Sequence, residues 1–295
     1  MSGSDGFVGY NLSEYLSRKY DVFALSRSHK RKLNDKIVPI LADLNDYDRI
    51  SHIFEDNNID IVCHLAACAI VKKANDDPRY VINNNLNITT NLLEACRKHD
   101  VERFHLFSTD KVMGNNIIPT KETHPLLATG PYEVSKLISE KVSESYGKHY
   151  GLKIVITRSA NIYGGNDKFN SRIIPNTIRR CLEGKSPIIY ENDHALREYI
   201  HVSDICSSIE HVLDNKLIGN YNVGTGETLD QEKVVLEILK HFKEIKPIYQ
   251  KKPDLKEIAD QMLDSSKLRQ TGWKHKINFE TGIKMTVDEM VSIHD

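Results

Sequence analysis

Short apolar runs rich in β-branched residues alternate with longer stretches whose apolar positions recur every three or four residues, and this alternation fills the first half of the chain. The runs predict strands at Val22–Leu25, Lys36–Leu41, Asp60–Ala66, Arg103–Ser108 and Lys153–Arg158. Between them Val8, Leu12 and Leu16 recur one helical turn apart, and Leu86, Leu92, Leu93 and Cys96 share a helical face, so these segments predict covering helices. Strand, helix and strand in repetition make βαβ units, hence an α/β fold on a doubly wound parallel sheet. After Gly165 the alternation loses its regularity, with a helix expected over Ile173–Cys181, a short strand at Ile188–Tyr190 and a mixed C-terminal third. Ile205–Leu213 and Tyr221–Val223 again read as a helix and a strand of the parallel core. Two interleaved parts follow: a parallel-sheet domain over 1–163 and 196–224, and a smaller α/β lobe over 164–195 and 225–295.

Glycines punctuate the start, where Gly3, Gly6 and Gly9 form G-x-x-G-x-x-G directly before the first helix. Glycines here let the backbone approach a pyrophosphate whose charge sits at the helix N-terminus. A flexible turn is the plainer explanation of three glycines alone; the strand–helix–strand order behind them favours the dinucleotide. A nucleotide-binding turn is normally fed by a central buried strand, yet only Met1 and Ser2 precede Gly3. The expectation is therefore a sheet lacking its first strand, with two uncovered neighbours and a loosened loop, which implies either a start further upstream or a compromised protein. The second run ends Leu25-Ser26-Arg27-Ser28, with no acid to meet the ribose of NAD and an Arg to meet the 2′-phosphate of NADP, so the cofactor is NADP or NAD with NADP favoured. A solvated basic loop explains the same residues, since His29, Lys30, Arg31 and Lys32 follow. Asp43 is placed to meet the adenine or simply to form a turn.

Tyr132 and Lys136 lie one helical turn apart behind the helix-start signal Gly130-Pro131. A tyrosine titrates near ~10, and a fixed ammonium beside it is the simplest way to make it a base at neutral pH. Upstream, Phe107-Ser108-Thr109-Asp110-Lys111-Val112-Met113-Gly114 ends a predicted strand, where ligands bind in open α/β sheets. One short loop thus offers a hydroxyl, a carboxylate and a second ammonium, although a helix cap with a solvated charge has the same composition.

Taken together, Gly3–Gly9, His64-Leu-Ala-Ala, Asn85 with Asn91-Leu-Leu-Glu-Ala, Tyr132-x-x-x-Lys136, Arg158-Ser-Ala-Asn-Ile-Tyr-Gly-Gly, Arg197-Glu-Tyr-Ile-His-Val-Ser-Asp204 and Tyr221-Asn-Val-Gly-Thr-Gly resemble the extended short-chain dehydrogenase/reductase superfamily. The resemblance, to its NAD(P)-dependent nucleotide-sugar epimerases and dehydratases, runs over nearly the whole chain and implies a Rossmann-type domain joined to a substrate-binding lobe. It implies that Gly3, Gly6, Phe7, Val8, Gly9, Ser26, Arg27, Asp43, Leu44, Leu65, Ala66, Ala67, Asn85, Tyr132 and Lys136 hold the cofactor. Thr109 would bond the sugar O4, Tyr132 act as its base, Lys136 hold the nicotinamide ribose, and Asn161 and Arg197 contact the nucleoside diphosphate. Thr109-Asp110-Lys111 looks like the Thr-Asp-Glu of sugar 4,6-dehydratases with Lys for Glu, as in the CDP-glucose 4,6-dehydratases and the inverting UDP-N-acetylglucosamine 4,6-dehydratases, and Gly164-Gly-Asn-Asp-Lys-Phe-Asn-Ser-Arg-Ile-Ile-Pro175 looks more like the CDP-glucose enzymes than like the galactose epimerases. Met113 departs from the Tyr common in that family. The implied reaction converts a nucleotide hexose to its 4-keto-6-deoxy form, with Thr109, Asp110, Lys111, Tyr132 and Lys136 as the catalytic group. A 4-epimerase or 4-ketoreductase is the nearest alternative, and a non-catalytic nucleotide- or sugar-binding relative is the alternative of another class.

Composition narrows the partners. Forty Lys and Arg against forty-one Asp and Glu give a formal charge of −1, so no global field recruits nucleic acid or an anionic membrane. Five cysteines without a C-x-x-C pair, and thirteen histidines without ligand spacing, argue against a disulfide framework or a metal site. No apolar run reaches the roughly eighteen residues of a membrane span and no signal-peptide layout opens the chain, so a cytoplasmic protein is expected. The helices around Asn85–Arg97 and Tyr132–Tyr150 suit pairing into a homodimer, as in related dimers.

Overall fold

The computed structural model describes residues 1–251 and 260–294. The chain forms two compact units, one of Met1–Gly114, Glu122–Ser159 and Ile209–Tyr221, the other of Asn115–Lys121, Ala160–Ser208 and Asn222–Asp295. The first contains helix α1 (Phe7–Leu16), strands β1 (Val22–Ser26) and β2 (Ile37–Leu41), α2 (Tyr47–Asp56), β3 (Ile61–His64), α3 (Val71–Asp76), α4 (Pro78–Lys98), β4 (Arg103–Thr109), a 3-10 turn at Asp110–Met113, α5 (Pro131–Tyr150) and β5 (Lys153–Ser159). The remaining elements are β6 (Asn161–Tyr163), α6 (Ile173–Leu182), β7 (Ile188–Tyr190), β8 (Arg197–His201), α7 (Val202–Asp214), β9 (Gly219–Val223), β10 (Thr228–Leu229), α8 (Gln231–Leu239), β11 (Ile248–Gln250), α9 (Ser266–Gln270) and α10 (Phe279–His294).

In the first unit β1 pairs with β2, β3 with β4 and β4 with β5, all parallel, and β9 lies beside β5. β4 and β5 are buried along nearly their whole length, as strands covered on both faces must be. Phe104, Leu106, Ile154 and Ile156 from these strands pack with Leu92, Leu93 and Cys96 of α4. β2 is the contrasting case: three of its five positions are exposed, and Pro39, which cannot donate to a ladder, sits there on an edge. Proline and glycine bound α5 as well, with Pro131 in its first turn and Gly151 ending it in the left-handed region at φ 75°.

Ser2 stands between β1 and β3. Ser2 makes an isolated parallel bridge to Leu25 of β1 and another to His64 of β3. Its N–H donates to the Cys63 carbonyl at 2.9 Å, Leu25 N–H donates to the Met1 carbonyl at 2.8 Å, and the terminal ammonium donates to the Phe23 carbonyl at 2.6 Å. Below these bonds lies an apolar pocket lined by Met1, Ser2, Phe23, Leu25, Ile40, Ile53, Phe54, Ile59, Val62 and Leu92. Burial in these surroundings pushes the terminal amine below its ordinary pKa.

The second unit is built on a three-stranded sheet, with β8 parallel to β6 and antiparallel to β10, and on the parallel pair β7 and β11. Tyr163, Ile174, Ile178, Val234, Ile238, Ile283 and Val287 form its core. Residues 196–208, which the sequence pattern grouped with the parallel-sheet domain, cluster with this unit, where β8 pairs with β6 and β10. Part of the expected lobe, 252–259, lies outside the described residues.

The first unit buries two histidines. His64 shares hydrogen bonds with Ser2 Oγ at 2.8 Å and Thr89 Oγ1 at 3.1 Å, and His105 shares one with Thr157 Oγ1 at 2.8 Å. Burial is the largest cause that pushes both down to about 3, with the nearby Lys136 charge adding to it. In the second unit burial pushes His201 down to about 4. Between these values and an unfolded pKa near ~6.5 the folded state binds fewer protons than the unfolded one, so stability is lost as pH falls through that window. Urea midpoints are expected to drop steadily below pH ~6.5, and His105→Gln should flatten that slope; an unchanged slope would refute the assignment.

Candidate active site

The glycine-rich turn leads directly from the Ser2 bridge. Gly3 has φ 79°, and a Cβ there would lie 2.7 Å from the Ala66 nitrogen, so a side chain is excluded on both conformational and steric grounds. A Cβ on Gly9 would fall 2.0 Å from the Gly3 carbonyl oxygen, so glycine is what lets α1 close onto the turn. Gly6, exposed and in extended conformation, caps α1 without any side-chain hydrogen bond, and no acid lies in the helix's first turn. An anion-binding turn needs these properties: close backbone approach, an uncovered cap and a helix N-terminus of positive sign. The residues fit a dinucleotide pyrophosphate.

The candidate catalytic loop grows out of β4. Thr109 ends the strand opposite Ser159 of β5, caps the 3-10 turn by accepting the Lys111 N–H at 3.4 Å, and donates its hydroxyl to Asp110 Oδ1 at 3.1 Å. Thr109 and Asp110 are buried and Lys111 is half-buried. Helix α5 packs against this turn. Tyr132 is half-buried in the helix's first turn, and Lys136 reaches the Phe107 carbonyl with its ammonium at 2.6 Å. Burial lowers Lys136 to about 8, opposed by the Glu140 carboxylate. The expected catalytic group is therefore gathered at the carboxyl end of β4 and the start of α5.

Sequence reading missed what holds these two elements together. Glu140, one turn beyond Lys136, and Arg158 of β5 form an ion pair with side chains 0 % and 1 % exposed. Arg158 donates from Nη2 to Glu140 Oε2 at 2.7 Å and from Nε to Oε1 at 3.1 Å, while Ser108 donates its hydroxyl to Oε1 at 2.5 Å. Arg158 also meets Met113 Sδ at 3.7 Å. The pair touches Ser108 just before the catalytic loop and Met113 at its end, so it brackets Thr109, Asp110 and Lys111. Met113, the departure from the family pattern, is a buried packing residue beside that guanidinium. A glutamate at i+4 from Lys136 on a covered helix was the available signal.

The other expected residues fall into distinct places. Ser26 and Arg27 close β1, whose Leu25 carbonyl accepts the N–H groups of Gly3 and Ser4. Leu65, Ala66 and Ala67 follow β3 against the glycine turn, where Leu65 N–H donates to the Ser2 carbonyl at 3.3 Å. Phe7 is buried and Val8 half-buried in the first turn of α1. Leu44 belongs to the core, and exposed Asp43 closes a turn by accepting the Asn45 N–H at 3.0 Å. Asn85 ties α4 to neighbouring segments, accepting the Cys68 N–H at 2.7 Å and donating to Ser135 Oγ at 2.9 Å. Asn161 and Arg197 lie in the second unit, where Asn161 donates to the Glu198 carbonyl at 3.1 Å and Arg197 to the Leu196 carbonyl at 3.1 Å. The five cysteines are free, and among the described residues no cluster could hold a metal and no helix is long and apolar enough to cross a membrane.

A Rossmann-type α/β domain with a glycine-rich turn and a Tyr–Lys helix defines a nicotinamide-dependent enzyme class. The NAD dependent epimerase/dehydratase family matches residues 1–224, and the chain belongs to it. The UDP-glucose 4-epimerase of Thermotoga maritima, solved with UDP-glucose, is 25% identical with a TM-score of 0.93, covering 100% of this chain and 98% of that one. The Thermus thermophilus UDP-glucose 4-epimerase, solved with NAD, is 29% identical with a TM-score of 0.91, covering 98% and 97%. The dTDP-glucose 4,6-dehydratase of Haemophilus influenzae is 29% identical, covering 97% of this chain and 96% of its own length.

Removing one partner of the buried pair strands the other. Glu140→Gln is expected to lower unfolding free energy by about 3–5 kcal/mol, whereas the paired exchange Glu140→Leu with Arg158→Met recovers most of it, as measured by urea unfolding. The Lys136 ammonium is present below its pKa and lost above it, so turnover that needs it should decline with an apparent pKa near 8 in a pH–rate profile.

Proposed function

We propose that the protein is a nucleotide-sugar 4,6-dehydratase. The observation that carries this reading is the Thr109–Asp110–Lys111 turn, which sets an acid and an amine side by side at the end of β4, beside the helix bearing Tyr132 and Lys136. Elimination across C5 and C6 of a hexose needs one group to take the C5 proton and a neighbour to protonate the departing C6 hydroxyl. Groups adjacent in sequence on one tight turn suit reacting atoms adjacent in the sugar.

A nicotinamide held at the glycine-rich turn and by Lys136 would supply the acceptance and return of a hydride. Tyr132 removes the O4 proton, supported by the Lys136 ammonium, and Thr109 holds O4 with its hydroxyl. The resulting 4-keto sugar has an acidified C5 proton, which Lys111 accepts. Asp110 gives its proton to the C6 oxygen, which leaves as water. Lys111 would give its proton back to C5 as the hydride is delivered to C6, completing the 4-keto-6-deoxy product. Asn161 and Arg197 are assigned to the nucleoside diphosphate of the substrate.

A second reading, a nucleotide-sugar 4-epimerase, is favoured by the likeness to two UDP-glucose 4-epimerases along nearly the full chain. There the same Tyr132 and Lys136 serve, and Asp110 and Lys111 orient the sugar. Incubation with UDP-, CDP-, GDP- and dTDP-hexoses separates the two. Dehydration gives a 4-keto-6-deoxy product that absorbs in alkali, and Asp110→Asn should slow its formation about 10²–10³-fold. A C4 epimer formed without loss of water would reject dehydration.

A further inference from the structure

Asp5 lies between Gly3 and Gly6, inside the turn that fits the pyrophosphate. Its carboxylate does not cap α1 but reaches across to the loop that follows β1. Oδ2 accepts the Ser28 hydroxyl at 3.1 Å, and Oδ1 accepts the Lys30 N–H at 3.1 Å. A hydroxyl and a main-chain N–H are the donors with which such a loop would hold an anion, and both already hold a carboxylate of the protein. The neighbouring Ser26 hydroxyl is also engaged, donating to the Ser28 carbonyl and sharing a 3.2 Å hydrogen bond with His29 Nδ1. Arg27 is exposed and lies near Asp43, whose pKa it helps to lower behind the larger effect of the Asn45 N–H.

Sequence reasoning assigned Ser26 and Arg27 to the 2′-phosphate of NADP. The loop's geometry supplies an opposing charge at the same end of β1. A ribose hydroxyl can donate to a carboxylate; a phosphate bears no such proton to give and adds like charge within a few ångströms. We propose that Asp5 is the residue that selects the cofactor, because its carboxylate occupies the anion position beyond β1 and so admits an adenosine ribose with a free 2′-hydroxyl while excluding one that carries a 2′-phosphate. This rests on the reading of the glycine-rich turn as the dinucleotide site.

Calorimetric titration of the full chain with NAD and NADP, and with ADP-ribose and its 2′-phosphorylated form, tests it without any sugar substrate. The unphosphorylated ligands are expected to bind at least tenfold more tightly than their 2′-phosphorylated counterparts. Asp5→Asn, which removes the charge and keeps an acceptor, should reduce that preference at least tenfold, mostly through tighter NADP binding. Equal affinity for NAD and NADP in the unaltered protein overturns the proposal, as does an unchanged ratio in a variant whose circular dichroism and Tm match the parent. The absence of a preference in the unaltered protein overturns the proposal even where the variant fails to fold. If neither dinucleotide nor either ADP-ribose binds, the dinucleotide reading itself falls, an outcome distinct from binding without selection.

Discussion

A carboxylate and a guanidinium almost entirely out of contact with water set the geometry on which the candidate site depends. Two charges are costly to remove from water, and the cost is offset only by close pairing and full hydrogen bonding. Glu140 and Arg158 meet that demand through Ser108, which places the pair directly beneath the loop that carries Thr109, Asp110 and Lys111. Helix α5 brings Glu140, strand β5 brings Arg158 and strand β4 brings Ser108. The arrangement therefore fixes three elements against one another where the chemistry is assigned. A purely apolar contact of the same volume would hold the elements together without dictating their register.

The same crowding explains the character of Lys136. Its ammonium is buried and bonded to a backbone carbonyl, so burial weakens its charge while the Glu140 carboxylate sustains it. An amine poised in this way is sensitive to small changes around it. The residues proposed to meet the sugar, Thr109, Asp110 and Lys111, stand on a short, tightly closed turn rather than on a long loop, which favours fixed roles over adaptable ones.

Much of the architecture was legible in the sequence because parallel strands buried on both faces leave unbroken apolar runs. Arg103–Ser108 and Lys153–Arg158 each extend by one residue in the structure, and Ile188–Tyr190 is found as read. The Tyr132 helix was equally plain, since proline and glycine mark its ends. Legibility failed where meaning depends on contacts distant in sequence. Nothing local distinguishes Glu140 from a solvated helix charge, and nothing near Arg158 announces a partner 18 residues earlier. Asp5 was passed over because a glycine motif directs attention to its glycines, whereas its partners Ser28 and Lys30 lie beyond the next strand. The boundary of the second unit was hidden for a similar reason: β8 has an ordinary strand pattern, and only its pairing with β6 and β10 assigns it.

The bridge formed by Ser2 has a consequence for how the protein comes apart. The described strands of the first unit form two ladders, β1 with β2 and β3 with β4, β5 and β9, and Ser2 bridges both at a seam over a pocket of apolar side chains. Cooperative units of a fold separate where the fewest backbone bonds cross. Across that seam the two ladders share the hydrogen bonds of Ser2 and one apolar cluster that holds Leu25 of β1 with Val62, Leu92 and Phe104. A ligand spanning both would act as a rivet, lending the seam the cohesion that its own hydrogen bonds do not supply.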